Sequence, residues 1–560
     1  MSLLINRLNT NLVICWFLNI RWELIEMRRW DYFWQYLTAL FVFGVCSLWI
    51  RSPGYMDAEY YTLSAVQMVE GKGMTQPILW NYLDDPQGLP HPSHTYWMPA
   101  PSWVAAAGML LSGRADFTSG RIPFIFLSAL AAPMAGWMGY RLGRKRITAW
   151  LAAGMAAFGG YYAVYASTID SFYLVMLAAW AILTRLDQTI GDSDSPNNWL
   201  WLISGVAAGW MHMNRADGIL WLLLVLLVCF YRVFRLAKKI RMRVLLTECI
   251  LVLTGYLAIS GFWYFRNLSE FGSLFIPGSS RALWVNTYDE LFIFPAAELT
   301  IEHWIHGGVA NILSARLEAA ASILLTAFGV QGMVFLIPFW IIAFIKLRHD
   351  RLVQIGLAME VVLFLVMTIG FPFSGKRGGF LHSSAALQPF LWGLAAAGFS
   401  IAISWISDKR NWDPQRAEKM FAPGLVFVCA LATIFIFQIL VIGPDAQNPI
   451  WDDSYRQSLV ANELVERNTI PENARIMINN PAGFNLVSGR EALVIPFGDT
   501  VTLLNVANTF DSEYILVEKN IVAGLINLHL NPEHYPQFSV IDRMDDKILL
   551  RVNSGKGVIQ

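Results

Sequence analysis

The chain is poor in charge, in cysteine and in nucleotide-binding motifs. Of 560 residues only 15% are Asp, Glu, Lys or Arg, against about a quarter in an ordinary soluble domain. The 41 basic and 41 acidic residues cancel, so bulk charge gives no ground for a nucleic-acid partner. Five cysteines (Cys15, Cys46, Cys229, Cys249 and Cys429) sit in apolar stretches without CxxC spacing. They read as small hydrophobes and indicate neither a disulfide framework nor a thiolate metal centre. No P-loop and no glycine-rich dinucleotide fingerprint occurs along the chain.

What fills the space is hydrocarbon. Hydrophobic residues make up 56% of the chain, in blocks of about the 17 to 25 residues needed to cross a bilayer core. The sequence predicts an α-helical polytopic membrane protein with about eleven spans, near 32–51, 120–140, 147–165, 169–185, 199–215, 216–232, 244–265, 329–347, 352–371, 383–405 and 421–443. "RRW" (28–30), "RLGRKR" (141–146), "RVFRLAKKIRMR" (232–243), "KLRHDR" (346–351) and "DKRNWDPQRAEK" (408–419) are the strongly basic loops. Eleven spans place them all on one face, which the positive-inside rule assigns to the cytoplasm, with the N-terminus inside and the C-terminus outside. Keeping that balance requires 100–113 and 312–329 to lie along the outer surface as interfacial helices.

The organisation expected is an N-terminal cytoplasmic or interfacial segment (1–31), a transmembrane domain (32–443) with outer loops at 52–119 and 266–328, and an extracytoplasmic domain (444–560). Residues 1–26 read as an interfacial extension or a misplaced gene start, Met27 being a natural beginning before the first span. The tail alternates strand-like runs (474–478, 492–496, 514–519, 547–552) with helix-like runs (453–467, 499–508), which predicts a small α/β domain.

Polar residues beside or within spans are costly unless they face water or one another, which makes them site candidates. On the expected outer face they are Asp57, Glu59 and Tyr60, then Asp84, Asp85, His91 and His94, then Asp170, Arg215, Asp217, Arg266, Lys376, Arg377 and His382. A carboxylate can take the proton of an attacking hydroxyl, and arginine or lysine can hold a leaving phosphate. Each residue also has a plainer reading. Asp57 and Asp170 could cap helices, Asp84 and Asp85 suit a turn before Pro86 and Gly88, and Arg215 could merely pair with Asp217. His91 and His94 could join Asp57 or Glu59 on a metal, although two histidines do not make a site.

The motifs "MDAEYY", "HPSHTYWMPAPSW", "GRIPFIFLSAL", "YASTIDSFYLVML", "MNRADGILWLLL" and "WYFRNLSEFGSLFIPG" follow one another in that order. In order and spacing, over about residues 30 to 400, the chain resembles the GT-C superfamily of integral-membrane glycosyltransferases, in the branch of aminoarabinose transferases and protein O-mannosyltransferases. That resemblance implies inverting transfer of a sugar from a polyprenyl-phosphate donor to an acceptor hydroxyl on a lipid, glycan or protein. It carries the base role to Asp57, and on the charge reading above Lys376, Arg377, His382, Arg266 and Arg215 would hold the leaving phosphate. Asp170, Asp217, His91, His94, Asp85 and Tyr60 would line the cavity. No cofactor is required for such a transfer, and the metal reading stays open. Many family members carry adjacent Asp-Glu, whereas here the pair is split as Asp57-Ala58-Glu59. In a helix those two carboxylates diverge by about 200°, whereas in an extended stretch they share a face, so Glu59 reads either as a supporting group or metal neighbour or as a solvated acid. A transporter and a non-catalytic envelope-assembly protein are the rival readings.

Overall fold

The computed structural model describes residues 27–191, 198–234 and 238–553. The segment 1–26 lies outside the described residues. A helical bundle forms one part of the molecule, and a mixed sheet with its helices, packed on a loop of the bundle, forms the other.

Seven helices among the described residues are long and apolar enough to cross a membrane, or eight if the bent pair Arg146–Ala157 and Tyr161–Ser167 counts as one span. Helices also stand at the remaining expected spans, including Arg29–Cys46, Phe172–Gly191 and Asn198–Asn214. Local chemistry sets several of their ends. The Asp116 carboxylate accepts from the Ser119 amide at 2.8 Å and opens helix Phe117–Ala129. Gly113 and Asn411, both left-handed, close helices Ala100–Ser112 and Gln388–Arg410.

One boundary departs from expectation. The helix begun at Val309 runs on through Gln331 and is itself long and apolar enough to span. The break falls at 332–336 instead of 329, where Met333 and Val334 take positive φ. Pro338 stands in the first turn of helix Ile337–Leu347, where a missing amide costs nothing.

The basic loops meet at one end of the bundle. Arg141 pairs with Asp187 at 2.6 Å and with Asp350 at 3.0 Å, Lys145 with Glu418 at 2.5 Å, and Arg146 with Asp31. These pairs tie together four of the five basic loops that charge patterning puts on a common face. At the other end the first loop folds into helix Met56–Val69, a small antiparallel pair (Thr75–Gln76 with His91–Pro92) and helix Ala100–Ser112.

The C-terminal sheet has six strands in the order Ile78–Leu79, Ala492–Leu493, Ile476–Met477, Tyr514–Val517, Lys547–Val552, Phe538–Met544. The first four run parallel and the last two are antiparallel additions. Helices Pro481–Ser488 and Thr500–Thr509 serve as the crossovers that parallel pairing requires. The four expected strands are present, with Phe538–Met544 added. The edge strand Ile78–Leu79 comes from the first loop, 414 positions before its sheet neighbour Ala492–Leu493.

Candidate active site

Asp57 is the second residue of helix Met56–Val69, whose N-cap is Tyr55, so Asp57 is not the cap. Its carboxylate accepts from the Trp97 indole N–H at 3.2 Å and lies 3.9 Å from His382 Nε2. The other ring nitrogen of His382, Nδ1, is 3.3 Å from Asp170 Oδ1. Asp170 also accepts from the Tyr55 hydroxyl, the Ser171 amide and the Ser171 hydroxyl. His382 is stacked on Phe172 with centroids 4.0 Å apart, which fixes the plane of the imidazole. The result is an Asp57–His382–Asp170 row, closed at one end and open at the other: the Asp170 side chain is 1% exposed and that of Asp57 30%.

The two carboxyls are pushed apart in acidity. Burial dominates at Asp57 and drives its pKa up to about 6; His382 opposes this, Asp170 adds to it, and Trp97 and Arg215 pull it down. Burial also acts to raise Asp170. There it is outweighed by His382 and by the bonds from Tyr55 and the Ser171 amide, which hold that carboxyl below its usual range. A solvent-reachable acid with a raised pKa beside a locked, ionised one is the pattern that separates a proton acceptor from its support.

Aromatic rings wall the open side. Trp97 lies 4.6 Å from Tyr60 and 4.2 Å from Trp80, which is in turn 4.7 Å from Tyr96. The Arg377 guanidinium sits 4.2 Å over the Tyr288 ring. Burial raises the Tyr288 phenol, with Tyr96 and Asp57 adding and Arg377 opposing, so this ring lies in the field of both Asp57 and Arg377. Arg215 bonds Asp217 at 2.9 Å and the Gly379 carbonyl at 3.3 Å, which fastens the 215–217 turn to the loop before His382.

Other candidates have different partners. Glu59 is buried and accepts from the Ser454 hydroxyl at 2.7 Å and from Asn480 Nδ2 at 2.6 Å, facing the C-terminal part of the chain and away from Asp57. Lys376 is paired with Glu318 at 2.7 Å. Arg266 donates to the Ser93 carbonyl at 2.7 Å and packs on Trp263 and Phe271. His91 is paired with Asp84 at 2.8 Å, and Asp85 with Arg281 at 2.5 Å. His94 is fully buried between Ser93 and Ser102, one hydroxyl on each ring nitrogen, and burial drives it down to about 3. Its backbone N–H donates to the Tyr60 hydroxyl at 2.5 Å. His91 and His94 are thus satisfied structural histidines. Among the described residues no group of three or more His, Cys, Asp and Glu is placed to hold a metal ion; in the Asp57–His382–Asp170 row the imidazole stands between the two carboxylates.

A cavity of about 770 Å³ is lined by Glu59, Thr62, Gln67, Asp452 and Tyr455 among others, and by none of Asp57, Asp170 and His382. It runs along the opposite face of helix Met56–Val69. Chemistry is better judged from the carboxylate row than from cavity size. Trp97, Tyr55 and Tyr288 were not singled out from sequence. The run "HTYWMP" held the only signal, an aromatic pair beside the histidines.

A helical bundle with an acid in its first loop, a second acid in a later loop and a mixed sheet docked on that first loop is an architecture found among solved structures. Two solved structures share it. ArnT from Cupriavidus metallidurans in the apo state aligns over 92% of this chain and 96% of its own, with a TM-score of 0.54 at 12% identity. The oligosaccharyltransferase AglB from Archaeoglobus fulgidus, in complex with an inhibitory peptide and a dolichol-phosphate, aligns over 88% of this chain and 70% of its own, with a TM-score of 0.50 at 12% identity. No family model matches the chain, and no curated protein matches it in sequence.

Proposed function

We propose that the chain is an integral-membrane glycosyltransferase. It moves a sugar from a polyprenyl-phosphate donor to an acceptor hydroxyl at the outer face, with inversion and with Asp57 as general base. The observation that carries this reading is the Asp57–His382–Asp170 row, set in a GT-C fold and open only at Asp57. A fold neighbour binding dolichol-phosphate supports the lipid class of the donor.

In the transfer Asp57 takes the proton of the acceptor hydroxyl as its oxygen bonds to the anomeric carbon. The bond from that carbon to the donor phosphate oxygen breaks, and polyprenyl phosphate leaves with the electron pair. His382, backed by Asp170, keeps Asp57 ionised and aimed. Arg215 lowers the Asp57 pKa, and Arg377 lies over Tyr288, a ring that also feels Asp57; these two cations stabilise the leaving phosphate. Lys376, engaged by Glu318, and Arg266, engaged by the first loop, belong to the frame of this site. The aromatic wall of Trp80, Tyr96 and Trp97 gives the sugar ring a stacking surface. The outer-surface helices shape the lipid entrance, and residues 444–560 form the extracytoplasmic domain of the working enzyme.

The test is reconstitution with labelled polyprenyl-phosphate sugars. Asp57→Asn should lower transfer by about 10²–10⁴-fold while the protein still folds. Unchanged transfer in that variant removes the base role of Asp57, whereas a wild-type protein that transfers no labelled sugar leaves the transporter and assembly readings standing.

A further inference from the structure

Helix Met56–Val69 presents Asp57 to the site on one face and Glu59 to the C-terminal part of the chain on the other. The contacts on the second face come in an ordered set. Ser52 donates its hydroxyl to Asp452 at 2.6 Å, and its carbonyl accepts from the Trp451 indole at 3.0 Å. The Trp451 ring fills the space beside Gly54, where a Cβ would stand 2.3 Å from it, and packs 5.7 Å from the Tyr55 ring. Ser454 donates to Glu59, and Asn480 donates to the other oxygen of the same carboxylate. The four-residue stretch 451–454 therefore grips 52–59 on both sides of Asp57. Tyr55 passes the hold onward, since its hydroxyl bonds Asp170, which bonds His382.

We propose that Glu59 is a positioning residue: through Asn480 and Ser454 it locks the helix carrying Asp57 to the C-terminal domain and so sets the distance from the base to the reacting sugar. This rests on the reading of Asp57 given above. Burial raises the Glu59 carboxyl, and its bonds to Asn480 and Ser454 counter that rise. A buried acid with both oxygens engaged by neutral donors is satisfied structurally. It offers nothing to a substrate on the Asp57 side, about 200° around the helix.

Asn480 allows a clean test because its two side-chain atoms do separate jobs. Oδ1 caps helix Pro481–Ser488 by accepting from the Gly483 amide at 3.2 Å, while Nδ2 donates to Glu59. Asn480→Asp keeps the cap, for which Asp serves as well as Asn, and turns the Glu59 contact into facing carboxylates. Adding Glu59→Gln restores a carboxylate–amide pair with donor and acceptor exchanged.

With the full-length protein and labelled polyprenyl-phosphate sugar, N480D should lower kcat about tenfold or more with the donor KM within about twofold, since a small misplacement of a base costs rate rather than binding. The double variant E59Q/N480D should recover most of that loss. E59Q alone should lose at least about tenfold less than Asp57→Asn, because glutamine still bonds both partners. Loss in E59Q equal to that of Asp57→Asn, unchanged kcat in N480D, or no recovery in the double variant each overturns the proposal. Should N480D not fold, Glu59→Ala takes its place, and unchanged kcat there overturns it equally. A wild-type protein that transfers no sugar removes the parent reading; an active one with an inert swap removes only the positioning role.

Discussion

His382 reaches Asp170 with Nδ1 and turns Nε2 toward Asp57, its ring held flat on Phe172. A histidine fixed in this way acts on its neighbours by charge more than by motion. Its positive form favours ionised Asp57, against the burial that pushes that carboxyl to about 6. A general base works only when deprotonated, so kcat/KM should rise with pH along an acid limb near 6 and then level off. Replacing His382 with Gln removes an influence that lowers the Asp57 pKa. The carboxyl then titrates higher, and the acid limb should move to higher pH, which a pH–rate profile on labelled donor reads directly. An unmoved limb would detach His382 from the base.

At the scale of elements, the bundle depends on how closely its helices approach. Helices Asn198–Asn214 and Lys238–Phe271 meet at small residues on both sides. A Cβ on Gly205 would stand 2.0 Å from the Val252 carbonyl, and one on Gly255 would stand 2.2 Å from that of Leu202. Small residues let helix backbones come together where no hydrophobic drive separates lipid from protein. The same two helices carry His212 and Tyr256, which hydrogen-bond one another, and Arg266, which holds the first loop through the Ser93 carbonyl. Gly205→Val must therefore part the pair, at a cost of about 1–3 kcal/mol or more. The expected outcome is a lowered thermal midpoint in detergent, with a native midpoint counting against the close-approach account.

Across the whole molecule, the C-terminal sheet and the bundle are joined through the first loop. That loop lends strand Ile78–Leu79 to the sheet, and Tyr82 bonds the Val494 carbonyl. Trp451 holds the stretch just before Asp57. Trp451→Ala removes a buried ring and an indole bond, a loss of about 3–5 kcal/mol when the site cannot collapse. Amide hydrogen exchange over 52–60 should accelerate and sugar transfer should fall in the same variant. Exchange at the wild-type rate would mean that the sheet is a passenger on the bundle.

Hydrophobic blocks, basic loops and the alternation in the tail were legible in the residues, because burial in lipid and charge retention act on local composition. The spacing of Asp57 and Glu59 left two outcomes, opposite faces in a helix or a common face in an extended stretch, and helix Met56–Val69 decided for the first. Partner choice was not legible. That His94 is sealed between two serines, that Lys376 answers to Glu318, and that Glu59 answers to Asn480 are contacts across 8, 58 and 421 positions. The same holds for His382, 211 positions from the Ser171 hydroxyl it approaches. Only the tertiary structure decided these, because a titratable side chain takes its role from whatever the folded chain brings within hydrogen-bonding distance.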